Sequence, residues 1–172
     1  MKKLFAFVIM MLLVPVFALA ADGSCVQSTE NYPDSGIRKV FFKCTGSTVD
    51  GSLPSAGIAT DSSITSFIKG YKLYQVEAYP TSGGTAPDAA DVFILDADGM
   101  DLLGSEDGGA TAYQGLNLIH ATLKRIALPD LYIPRAGAHE FYEPYVFGAI
   151  KLKVLNQATV SANYTAVLIF KK

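Results

Sequence analysis

Alternation of apolar and polar positions is most regular at the C-terminal end of the chain. Val146, Gly148, Ile150, Leu152 and Val154 alternate with Phe147, Ala149, Lys151 and Lys153. After Asn156-Gln157, Tyr164, Ala166, Leu168 and Phe170 alternate with Thr165, Val167, Ile169 and Lys171. A period of two is the mark of a strand, since successive side chains point to opposite faces. The pattern predicts two strands joined by a short turn into an antiparallel hairpin. Lys151 and Lys153 give the first strand a partly wet face. The second is apolar on both sides and is expected at the centre of a sheet, with Leu152 and Val154 packed beside Leu168 and Phe170 in the core.

Elsewhere the apolar runs are shorter. Lys39 to Cys44 reads as a strand by its aromatic and β-branched content. Ile64 to Tyr79 is a long apolar-aromatic segment, and Gly70 inside it predicts a bend or bulge between two short strands. Asp91 to Asp96, then Asp98-Gly99, then Met100 to Leu103 predicts a tight hairpin with a type I′ turn. Residues 113–128 fit either a helix or a strand near Thr122–Leu128. Loops rich in Gly, Pro and Ser separate these elements, and residues 21–36 are polar enough to read as an extended N-terminal arm. Many short strands, with no convincing long helix, predict an all-β antiparallel β-sandwich of jelly-roll or immunoglobulin-like type. It occupies residues 37–172 as a single domain.

The first twenty residues have a different character. Lys2-Lys3 precedes an apolar run from Leu4 to Phe17, and Ala18-Leu19-Ala20 closes it with small residues. A charged head, a short apolar stretch and an A-x-A exit predict a secretory signal peptide over residues 1–20, cleaved before Ala21. The run is short for a bilayer core of about 30 Å. Cys25 and Cys44 are the two cysteines. In an exported chain an even pair predicts a disulfide, here closing a loop of about 20 residues worth roughly 3 kcal/mol.

Charge narrows the range of partners. Losing Lys2 and Lys3 from the 14 basic residues, against 16 acidic ones, moves the net charge from −2 to about −4. No basic footprint for nucleic acid remains, and no later apolar run approaches membrane-spanning length. The expected partners are therefore proteins, in a homo-oligomer or a virion or surface assembly, with no nucleic acid and no membrane once the signal is cleaved.

Candidate chemistry is sparse. Asp96, Asp98, Asp101, Glu106 and Asp107 form an acidic cluster in which Asp96, Asp98 and Asp101 are a weak calcium candidate. The EF-hand spacing fails, because Asp101 stands where glycine is required, and turn chemistry explains these residues more simply. His120 and His139 lack metal-ligand spacing, although His139 neighbours Glu140 and Glu143. There is no G-x-S-x-G elbow, no P-loop and no dinucleotide fingerprint, so neither catalytic residues nor a cofactor are expected. Tyr113, Tyr132, Phe141, Tyr142, Tyr145 and Phe147 fall in a proline-punctuated stretch. Aromatic rings on loops suit a contact surface, and Tyr132, Phe141, Tyr142 and Tyr145 are the candidate interaction residues.

One resemblance spans much of the chain from Gly70 onward. Its residues are Tyr79 to Pro87, the run Asp91 to Gly104 with its D-x-D-G turn and D-x-L-G return, and the closing segments Lys151–Asn156 and Thr165–Phe170. The layout resembles small phage and prophage virion-associated β-sandwich proteins. That resemblance implies a non-enzymatic structural or assembly protein, virion-associated, and carries no active site. The signal peptide and cysteine pair depart from it. The alternative that stays open beside it is an exported periplasmic or surface binding module, in the manner of a pilin-like subunit that pairs its terminal strands with a neighbour.

Overall fold

The computed structural model describes residues 22–103, 116–133, 138–141 and 143–172, with 130–133 and 138–141 described by their backbone alone. Among the described residues, eleven strands, one short α-helix and one turn of 3-10 helix (Pro33–Ser35, between the first two strands) follow in order: β1 Ser24–Tyr32, β2 Ile37–Thr45, β3 Ile58–Ala59, α1 Ser62–Ile68, β4 Lys72–Pro80, β5 Ala90–Leu95, β6 Leu116–Ile119, β7 Arg125–Ala127, β8 Asp130–Ile133, β9 Ala138–Phe141, β10 Lys151–Leu155 and β11 Asn163–Lys171. One sheet has the order β1-β2-β11-β4-β7 and a second the order β3-β10-β5-β6, all pairs antiparallel. Among the described residues β8 and β9 pair only with each other.

The inner faces of the two larger sheets share one core. Val40, Phe42, Val76, Ala78, Tyr164, Ala166, Leu168 and Phe170 come from the first, and Val92, Ile94, Leu152 and Val154 from the second. The chain is thus mainly β, two antiparallel sheets enclosing a common apolar layer, as the alternation predicts. β11 is the middle strand of five, and Thr165, Val167 and Ile169 on its outer face are also buried. Its two apolar faces match that central place.

The predicted C-terminal hairpin does not form. β10 pairs with β3 and β5, whereas β11 pairs with β2 and β4. Each strand has an apolar face seeking the same core, and standing on opposite walls buries both. Residues 156–162 carry the chain across, with left-handed backbone at Asn156 (φ 63°) and Ser161 (φ 52°). The Ser161 amide donates to the Ser47 carbonyl at 3.0 Å, which ties this crossover to the loop after β2. The strand also begins later than the alternation suggests, at Lys151. Val146 and Ile150 are buried in irregular chain before it.

Ile64 to Tyr79 is a helix followed by a strand, not two strands. Ile64 and Ile68 are buried and Phe67 packs on the core, the i, i+3, i+4 spacing of one helical face. Gly70 stands between helix and strand at φ 78°, a conformation open to glycine at little cost. The polar arm is likewise a strand, β1, paired residue for residue with β2 from Ser24↔Thr45 to Tyr32↔Ile37. It offers no buried face, because it lies at the edge of its sheet. In 116–128 the strand reading holds, with β6 and β7 where a helix was the other option.

After β5 the turn differs from type I′. Gly99 has positive φ but Asp98 does not, and Asp96 faces Met100 through an amide-to-carbonyl bond of 2.9 Å. A three-residue loop, Ala97 to Gly99, therefore replaces the expected two-residue turn. The Asp96 carboxylate selects it by accepting the Asp98 and Met100 amides at 2.9 and 2.8 Å.

Candidate interaction surface

The segment preceding β10 is anchored by its backbone to the start of β4. Leu73 donates to the Pro144 carbonyl at 2.9 Å, Val146 to Tyr71 at 2.8 Å, and Gly70 to Val146 at 2.8 Å. This extra rung points Val146 into the core and turns its two neighbours outward. Tyr145 is 51% exposed and Phe147 70% exposed. Their rings stack with centroids 6.0 Å apart and planes inclined at 28°.

Two lysines flank the pair on the side of β4. Lys171, Lys72 and Tyr145 are successive partners across β11, β4 and the added rung. The Lys72 ammonium lies 5.1 Å from the Tyr145 ring centroid and 3.8 Å from the Glu143 carboxylate. Lys171 lies 5.5 Å from the ring of Tyr74, which is also exposed. Each contact sits at a surface, where a cation over a ring contributes about 0.5–1 kcal/mol. The arrangement is an exposed aromatic pair flanked on one side by lysines, held on a hydrogen-bonded backbone. It can stack against and bury a flat apolar or aromatic group, and the Lys171 ammonium on its flank can meet a carboxylate.

The structure treats the other sequence candidates differently. Asp96 shapes its turn, and Asp101 Oδ1 accepts the Ile94 and Leu103 amides at 3.0 and 3.2 Å. Both carboxylates serve the chain's own backbone, and among the described residues no group of three or more His, Cys, Asp or Glu is placed to hold a metal ion. His120 Nδ1 accepts the Thr122 and Leu123 amides at 3.2 Å each, closing the loop between β6 and β7. Glu106, Asp107, Tyr113 and Tyr142 lie outside the described residues. Tyr132 pairs with His139 and Phe141 with Asp130 in the β8–β9 ladder. Cys25 and Cys44 form a disulfide between directly opposed positions of β1 and β2.

The described surface carries open depressions. One lies beside Leu53, Pro54 and Gln157, and another on the outer face of the five-stranded sheet among Glu30, Lys39, Phe41, Glu77 and Lys124. Neither lining brings a histidine or cysteine to a carboxylate. Lys72 and Lys171 escaped the sequence reading because they are distant in sequence from Tyr145: the bridge between β4 and the segment before β10 brings Lys72 to Tyr145, and the pairing of β4 with β11 sets Lys171 beside Lys72.

No protein-family model matches the chain, and no match is found among curated proteins or among solved structures.

Proposed function

We propose that the protein is an exported, non-enzymatic assembly subunit that binds a protein partner through the Tyr145–Phe147 surface. The observation that carries this reading is the exposed, stacked ring pair on a backbone fixed by three hydrogen bonds to the helix–strand junction and β4. A pre-ordered aromatic pair loses little conformational entropy on binding, which suits it to anchor a protein contact. Export is supported by the Lys2-Lys3 head with its Ala18-Leu19-Ala20 exit, and by the disulfide, which persists in oxidising compartments. The absence of a nucleophile or phosphate-binding motif from the sequence supports the non-enzymatic part. The frame is read as a sandwich of immunoglobulin-like or jelly-roll type.

A virion-associated role of phage origin is the second reading, favoured by the D-x-D-G turn and D-x-L-G return at Asp96–Gly104. Fractionation of producing cells tests both settings. An exported subunit starts at Ala21 and is found in the periplasm or at the cell surface. A virion part sediments with particles. A chain that keeps Met1 and stays free in the cytoplasm overturns export and virion association together.

A further inference from the structure

β1 ends its sheet with an open edge. Among the described residues it pairs with β2 alone, and it runs for nine residues without a bulge. The other three edges of the two larger sheets are short: β7 has three residues, β3 two and β6 four. Proteins blunt long edges with proline, lysine, bulges or cover, because unpaired N–H and C=O groups recruit another strand. β1 carries no proline and no lysine, and Glu30 is its single charge.

The hydrogen-bond parity tells which groups are free. Gly46 donates to the Ala162 carbonyl and Gly36 accepts from the Lys172 amide, so even-numbered positions along β2 bond toward β11. Odd-numbered positions of β2 therefore bond toward β1, and their partners there are Ser24, Val26, Ser28, Glu30 and Tyr32. The 4.0 Å Cα separation of Cys25 and Cys44 agrees, being that of a non-hydrogen-bonded pair. Cys25, Gln27, Thr29 and Asn31 are left with backbone groups directed outward.

We infer that this edge pairs with the same edge of a second copy, antiparallel about a two-fold axis at Ser28, joining the two five-stranded sheets into one. That register sets Cys25 opposite Asn31 of the other copy and Gln27 opposite Thr29, so every outward-facing residue meets an outward-facing residue. Shifting the axis to Gln27 or Thr29 leaves one outward residue of each copy unmatched. On the outer face the register sets Glu30 against Val26, which is 71% exposed in the single chain, and Tyr32 against Ser24. No like charges oppose, and Lys43, the β2 partner of Val26, stands one strand beyond the incoming Glu30. The contact is isologous and closes after two copies. The Cys25–Cys44 disulfide keeps each β1 on its own β2, so copies join edge to edge without exchanging strands. This pairing does not depend on what the aromatic surface binds.

Native mass spectrometry of the disulfide-bonded chain, with Thr29→Pro and Ser28→Cys variants, tests it. Thr29→Pro removes an outward N–H and leaves the β1–β2 bonds in place. The expected result is a wild-type dimer and dimerisation weakened about tenfold or more in the proline variant. The Ser28→Cys variant is expected to cross-link to itself under mild oxidation, whereas Glu30→Cys, at a position that faces Val26, does not. A monomeric wild type at tens of micromolar overturns the inference. So does a dimer in which the Ser28→Cys variant fails to cross-link, even if the proline variant does not fold.

Discussion

Arg38 lies between two aromatic rings, its guanidinium carbon 4.5 Å from the centroid of Phe67 and 4.1 Å from that of Tyr71. It also donates through Nη1 to the Phe67 carbonyl. Arg38 belongs to β2, Phe67 to α1 and Tyr71 to the link into β4, so one side chain joins the helix to the end of the sheet. Arg38→Ala is expected to lower stability by about 1–3 kcal/mol. Arg38→Lys is expected to recover little of it, because an ammonium lacks the planar face that stacks on both rings. Urea melts of the two variants check this, and a lysine variant as stable as wild type contradicts it.

Tyr164 is fully buried, and its hydroxyl has no hydrogen-bond partner among the described groups. Removing an unsatisfied hydroxyl relieves a desolvation cost, so Tyr164→Phe is expected to be neutral or stabilising by up to about 1 kcal/mol. Burial, with a smaller contribution from the Asp88 charge, raises the phenol well above its ordinary value of 10.0. A raised folded-state value means that its contribution is complete below about pH 10 and is lost as the pH climbs above that. Wild type should therefore lose stability in alkali more steeply than Tyr164→Phe. Parallel pH curves would refute this.

Phe170 is fully buried and Lys151 half-exposed on the other face of its strand. Phe170→Ala should lower stability by roughly 3–5 kcal/mol and Lys151→Ala by less than about 0.5. Denaturant unfolding of the two variants measures the contrast. Equal, small losses would place β11 outside the core.

β1 contributes no buried side chain, so the disulfide, its backbone ladder and the Gln27 side-chain amide, which donates to the Ala59 carbonyl at 2.7 Å and accepts from the Asp61 amide at 3.2 Å, hold it. Replacing Cys25 and Cys44 with serine is expected to lower stability by about 3 kcal/mol, from loop closure across a separation of 19 residues. Hydrogen exchange should then show the β1 amides losing protection while those of β11 keep theirs. Uniform loss across both strands would contradict a locally held edge.

What the sequence made legible follows the strength of local patterns. Alternation along Tyr164–Phe170, apolar on both faces, announced a central strand because such a strand is buried on both sides. The same alternation could not say which strand is the neighbour. Leu152 and Leu168 have the same pattern whether they lie side by side or on facing sheets. β1 was missed as a strand because its residues alternate polar with polar, as an edge permits. In the helix, Ile64, Phe67 and Ile68 carry the helical spacing, which the β-rich tyrosine run after Gly70 obscured. Tyr145 was legible as an exposed aromatic in a proline-punctuated segment, but the lysines beside it are placed by its bridge to Lys72 on β4 and by the pairing of Lys72 with Lys171 on β11.

Sedimentation of extracts from cells that make the protein naturally tests the proposed function most directly, comparing wild type with the Tyr145→Ser/Phe147→Ser double variant. Both side chains are exposed, so the variant should keep the wild-type melting temperature within a degree or two. The account predicts that wild type travels in fractions heavier than the isolated protein, and that the folded double variant shifts to the position of the isolated protein. Identical profiles for the two would contradict the assignment of the aromatic surface as the site of assembly.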